Sequence, residues 1–115
     1  MSTSVRWLIA QRSLELVLHA GGAGLERPID SAVSSELLTA AEWMVGGEVL
    51  LTTGLRLTDD PAEQQRYVRS LDEVGVAALG FGVGLGFDAI PQAMIIAADE
   101  AGLPSVSYTH LTLPT

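Results

Sequence analysis

Cysteine is absent from the chain, which removes disulfides, thiolate nucleophiles and zinc–thiolate sites together. Lysine is absent too: the six cationic side chains are all arginines, set against fourteen carboxylates for a net charge of −8. So acidic a chain offers no footprint for a phosphate backbone, and no direct nucleic-acid binding is expected of this domain. The same charge disfavours docking on anionic membranes. No apolar stretch reaches the roughly 18 to 20 residues that a spanning helix requires. The N-terminal "MSTSVRWLIAQRS" holds too short an apolar run for a secretory signal, so the expected location is the cytoplasm.

Signatures of nucleotide, hydrolase and metal sites are also missing. Gly82 and Gly84 satisfy G-x-G, but the third glycine position falls on Phe87, and neither GK[ST] nor G-x-S-x-G occurs. His19 and His110 are lone histidines with no H-x-x-x-H spacing. The pairs Asp59-Asp60, Asp72-Glu73 and Asp99-Glu100 read as caps or solvated helix faces. No catalytic residue, metal or cofactor is expected, and the domain is not read as an enzyme.

What is present is enough apolar material for one domain: 115 residues, 48% of them hydrophobic, with mean hydropathy +0.34. Ser4 is placed to cap a short helix, and Leu14, Leu16 and Leu18 alternate as in a strand. "AGGAG" at 20–24 is a turn, and 29–35 is a further strand candidate. "TAAE" at 39–42 has the form of a capping box opening a short helix that ends at Gly46-Gly47. "EVLLTTG" then reads as a buried strand, and "DPAE" at 60–63 starts a helix whose buried face is Tyr67, Val68, Leu71 and Val74. Gly75 suits its end, "VAALGFG" at 76–82 is another buried strand, and Asp88 is the expected cap of a helix through Ala101. Pro104 to Tyr108 is the last strand candidate. Buried strands alternating with amphipathic helices predict an α/β fold with a mostly parallel sheet and flanking helices, over residues 1–108. The uncharged, threonine-rich residues 109–115 look like a truncation point or a foreign tail.

Open parallel sheets collect ligands outside the carboxyl ends of their strands. Two such ends are Thr52-Thr53-Gly54 and the glycine-rich "GFGVGLG" from Gly80 to Gly86. Threonine hydroxyls and glycine amides there suit a small polar or anionic ligand, although ordinary turn chemistry also places glycine at strand ends. Thr52, Thr53, Gly54, Gly80 and Gly82 are the candidate ligand-binding residues. Glu36 and Glu48 each flank an apolar segment beside a candidate loop, as polar anchors or as structural partners of arginine.

Five stretches, "SVRWLIA", "GLERPIDSAVSSELL", "WMVGGEVLLTTGLRLTDDP", "YVRSLDEVGVAALGFGVG" and "IPQAMIIAADEAGLP", occur in this order. Together they resemble the N-terminal domain of purine catabolism regulator (PucR)-like bacterial transcription regulators, from about Val5 to Pro104. The strand–Thr-Gly–helix pattern is more distantly similar to DRTGG-type regulatory domains. The resemblance implies a regulatory, metabolite-sensing domain with a small-molecule effector, in a homodimeric regulator whose DNA-binding part lies outside this chain. A ligand-free oligomerisation domain and an accessory domain of a metabolic enzyme are the alternatives. The residues after "GLP" depart from the family pattern.

Overall fold

In the computed structural model, which describes residues 3–109, a short N-terminal part precedes an alternation of strands and helices. The elements are Thr3–Ser4 (β1), Val5–Ile9 (α1), Val17–Ala20 (β2), Pro28–Ile29 (β3), Ser31–Ser34 (β4), Glu48–Thr52 (β5), Pro61–Glu73 (α2), Ala78–Gly82 (β6), Gln92–Ala101 (α3) and Ser105–Tyr108 (β7). The main sheet has the order β2-β7-β6-β5-β4. Strands β4 to β7 are mutually parallel, and β2 closes the far edge antiparallel to β7. Strands β1 and β3 form a separate small ribbon.

Local chemistry explains the central elements. The Asp60 carboxylate accepts from the Ala62 amide at 3.0 Å, and Pro61 begins α2 where no amide donor is needed. Gln64, Tyr67, Val68 and Leu71 recur at three- and four-residue spacing and are the buried positions of α2. With Met94, Ala97 and Ala98 of α3 they cover one face of the sheet, packing on Leu50, Leu79 and Phe81. Each such large apolar side chain contributes roughly 1.5–3 kcal/mol when fully buried. Strand β6 is buried at every position, as expected of a central parallel strand covered on both faces. The second face is covered more thinly, by Val5, Leu8 and Ile9 of α1 against Val49 and Ala78. There an apolar cleft of about 190 Å³ remains, lined among others by Leu14, Leu16, Ile29, Leu51 and Val106.

Three local expectations are corrected. The strand expected from Leu14 begins only at Val17, because Arg12–Leu14 is a 3₁₀ turn and Glu15 adopts φ 51°, outside the extended region. The box at 39–42 does not form: Thr39 has φ −98° and ψ 23°, makes no side-chain cap bond, and precedes a 3₁₀ turn over Ala40–Trp43. Helix α3 starts at Gln92, with Pro91 at the N-cap in place of Asp88. Proline disfavours helical geometry in the residue before it, so Ile90 cannot extend the helix backwards. Of the tail expected over 109–115, all but Thr109 lies outside the described residues.

Candidate functional site

Because β4, β5, β6 and β7 run parallel, their carboxyl ends share one edge of the sheet. Strand β4 ends at Ser34, and the chain immediately after it carries Glu36 alongside the end of β5. One Glu36 oxygen accepts from the Thr52 hydroxyl at 2.6 Å and the Thr53 amide at 2.9 Å. The other accepts from the Thr53 hydroxyl at 2.7 Å and shares the same amide at 3.1 Å. The Thr52 hydroxyl in turn accepts from the Gly54 amide at 3.2 Å. Burial works against the charged Glu36 carboxylate. Hydrogen bonds from Thr52 and Thr53, with a further contribution from the Leu55 amide, outweigh it and hold the pKa below its ordinary value.

Below this cluster lies Tyr67 of α2. Its side chain is 5% exposed, and its hydroxyl is buried with no hydrogen-bond partner. Burial pushes its pKa up to about 12; the Thr52 hydroxyl draws it down and the Glu36 charge pushes it further up. Tyr67 is therefore a neutral phenol next to a carboxylate; the Thr52 hydroxyl is close enough to influence it, but no hydrogen bond of ordinary geometry joins the two. An orphaned buried hydroxyl costs about 1–3 kcal/mol, so this one is an exception to ordinary packing. Tyr67 also lines a cavity of about 250 Å³ with Leu38, Glu63, Arg66 and Ser70. Glu63 Oε1 is a second buried oxygen without a partner there.

Three glycines at or near the edge, Gly54, Gly80 and Gly82, serve close packing, whereas a Cβ on Gly84 would meet nothing within 4 Å. Gly54 has φ 75°, and a Cβ on it would lie 2.7 Å from Phe81 Cζ and 3.0 Å from the Phe87 ring. Those two rings meet edge to face at 5.8 Å, so Gly54 forms the floor on which the threonine turn rests. Gly80 and Gly82 open space for neighbours on the thinly covered face. A Cβ on Gly80 would lie 2.6 Å from Leu51 Cδ2, and one on Gly82 would lie 3.1 Å from the Tyr108 ring. Burial raises the Tyr108 pKa, with a smaller push from Glu36, so a second neutral phenol stands near this edge.

Thr52, Thr53, Gly54 and Glu36 are thus brought together, and Gly82 shares their edge. Gly80 lies within β6, two residues from its end. Glu48 sits at the opposite end of β5, where its two oxygens accept from the amides of Val45 at 2.7 Å and Gly46 at 2.9 Å. His19, expected to face solvent, is exposed on β2 and shares a 2.7 Å hydrogen bond with Ser107 of β7. Among the described residues, no group of three or more His, Cys, Asp and Glu side chains could hold a metal ion. The cluster offers neutral donors around one carboxylate. Tyr67 and Glu63 were not among the sequence candidates. Tyr67 reads as an ordinary core position of α2, and only the placement of α2 over β5 turns its hydroxyl toward chemistry.

Comparison with known proteins gives a consistent family. Residues 7–112 match the "Purine catabolism regulatory protein-like family". The chain is 29% identical over 109 residues to "Transcriptional activator PmfR" of Paenarthrobacter nicotinovorans, covering 95% of this chain and 23% of that protein. It is 28% identical over 97 residues to "Purine catabolism regulatory protein" of Bacillus subtilis (strain 168), covering 84% of this chain and 18% of that protein. The chain therefore spans less than a quarter of the length of either relative. Among the described residues, no helix is long and apolar enough to cross a membrane.

Proposed function

The chain belongs to the purine catabolism regulatory protein-like family, and from that premise we propose that it is the metabolite-sensing module of a cytoplasmic transcription regulator. The observation that carries the reading is the carboxyl-edge cluster, with its threonine donors and the orphaned Tyr67 hydroxyl. It lies at the place where open parallel sheets hold ligands. DNA binding and control of catabolic genes fall to other parts of a longer polypeptide, in keeping with the net charge of −8. Intermediates of purine degradation are the effector class that the family description suggests.

Sensing works by population shift: an effector that binds one arrangement of the 35–39 segment better than another changes what the rest of the regulator meets. The test is a thermal-shift screen of the 115-residue chain against purine catabolites and related metabolites, repeated with Thr53→Ala. At least one metabolite is expected to raise the midpoint in the parent chain and to do so less in Thr53→Ala. A panel that stabilises neither protein removes the sensing function. Equal stabilisation of both moves the site away from Thr53.

A further inference from the structure

We propose that the carboxyl-edge cluster is a cradle for a small monocarboxylate, and that Glu36 is the chain's own occupant of it, displaced when an effector's carboxylate enters. The inference rests on the sensing function above and names the chemistry of its ligand. Three donors, the hydroxyls of Thr52 and Thr53 and the Thr53 amide, converge on a single carboxylate at 2.6–3.1 Å. Thr52 closes the buried strand β5 and Thr53 follows it directly, whereas their acceptor comes from a segment, residues 35–39, outside any strand or helix. Leu37 and Leu38, which follow Glu36, are themselves exposed, so little packing anchors the segment over the cradle.

Tyr67 supplies an independent observation. Its hydroxyl is a donor beside Thr52 that the internal carboxylate does not engage, although its side chain is 5% exposed. An occupant reaching deeper than the Glu36 side chain would gain this donor and relieve an unmet hydrogen bond. Every donor in the set is neutral, which suits a planar monoanion with two oxygens better than a phosphate dianion in a chain of net charge −8. Exchange of one carboxylate for another leaves the charge of the site unchanged. Release of Glu36 to water therefore restores its solvation without leaving the donors unpaired.

A built-in competitor sets a threshold, because apparent affinity is reduced by the fraction of chains in which Glu36 has left. Formate, the smallest carboxylate, is the probe. It is titrated against the parent chain and Glu36→Ala, with chloride at matched ionic strength as control. Glu36→Ala is expected to melt lower than the parent and to be restored toward it by formate in a saturable way. Its apparent affinity for formate is expected to exceed the parent's by at least roughly tenfold. Should Glu36→Ala fail to fold, Glu36→Gln replaces it, read by the amide NMR shifts of Thr53 and Leu55. Saturable movement of those amides with formate supports the cradle. Formate acting no more than chloride on the folded variant overturns it. A metabolite response in the parent chain without formate binding by the variant rejects the cradle and leaves sensing standing. Formate binding by the variant with no metabolite response in the parent does the reverse.

Discussion

The two ends of the parallel strands are built on the same principle and finished differently. At the amino end, Arg27 reaches between the two main helices. Its guanidinium donates to the Val76 carbonyl at 2.8 Å, to the Asp72 carboxylate at 2.9 Å and to the Ala101 carbonyl at 3.3 Å. A cation at two helix C-termini is favoured by the helix dipoles as well as by its direct partners. Nearby, Glu48 satisfies the amides of Val45 and Gly46. At the carboxyl end a single carboxylate again gathers backbone and side-chain donors, yet two buried oxygens, on Tyr67 and Glu63, stay unpaired. Leu37, Leu55 and Leu85 are exposed in the loops of that end. Arg27 and Glu48 tie the amino end together as a joint, although the Ser105 hydroxyl at the start of β7 is also buried without a partner; the carboxyl end leaves two such oxygens near its threonine cluster. Buried polar groups are ordinarily satisfied, so the unpaired oxygens near the threonine cluster make the carboxyl end the place to test for a ligand.

Arg27→Ala attacks the joint and is expected to have the largest effect. It strands the half-buried Asp72 carboxylate and two carbonyls, with a loss of about 3 kcal/mol in urea unfolding. The response of the carboxyl end to ligands should survive it, and coupled loss of both would erase the contrast. Gly54→Ala attacks the other end through its floor. At φ 75°, with Phe81 2.7 Å from the added carbon, it should cost roughly 2 kcal/mol by the same assay. An unchanged midpoint would mean that the turn relaxes freely.

Tyr67→Phe is expected to stabilise the protein by up to about 1 kcal/mol at neutral pH, since it deletes an orphaned hydroxyl. It also has a signature at high pH. The Tyr67 pKa is raised from 10.0 to about 12, so between these values the unfolded chain releases a proton that the folded chain retains. Stability therefore falls as pH rises through that window, and Tyr67→Phe should remove this part of the slope. The smallest effect belongs to Glu36, whose folded pKa is lowered. Its contribution is present above the ordinary carboxylate pKa and is lost as pH falls through the folded value. Glu36→Gln should flatten the acid limb of a stability-against-pH curve, and an identical limb would deny the carboxylate its role.

Much of this architecture is legible in the sequence. Asp60-Pro61 and Gly102 mark helix ends by local chemistry, and both work as expected because their partners lie within a few residues. Thr39-Glu42 and Asp88 carry the same local signals and fail, because the backbone at Thr39 and the proline at 91 impose other geometries. Glu36 and Glu48 look equivalent along the chain, each an acid beside an apolar segment. Their difference is positional: Glu36 follows β4, and Glu48 opens β5, so parallel strands send them to opposite edges. That distinction was available once the strands were taken as parallel. The meeting of Glu36 with Thr52 and Thr53 was less accessible, since it requires β4 to lie beside β5. The isolation of the Tyr67 hydroxyl depends on packing in three dimensions, for which spacing along a helix has no signal.

The pairing of β2 with β7 also carries a consequence for the order in which the protein is assembled. Leu18 lies opposite Val106, and His19 bonds to Ser107 across 88 positions of sequence. The parallel unit from β4 to β6 draws on contacts between successive elements, whereas among the described residues β2 pairs in the main sheet only with β7. On a ribosome, the earliest strand of the main sheet must wait for the latest one to emerge. Long-range pairings of this kind are slow to close. The exposed flank of β6 is meanwhile an open strand edge, so the newly made chain is most vulnerable to mispairing just before β7 arrives.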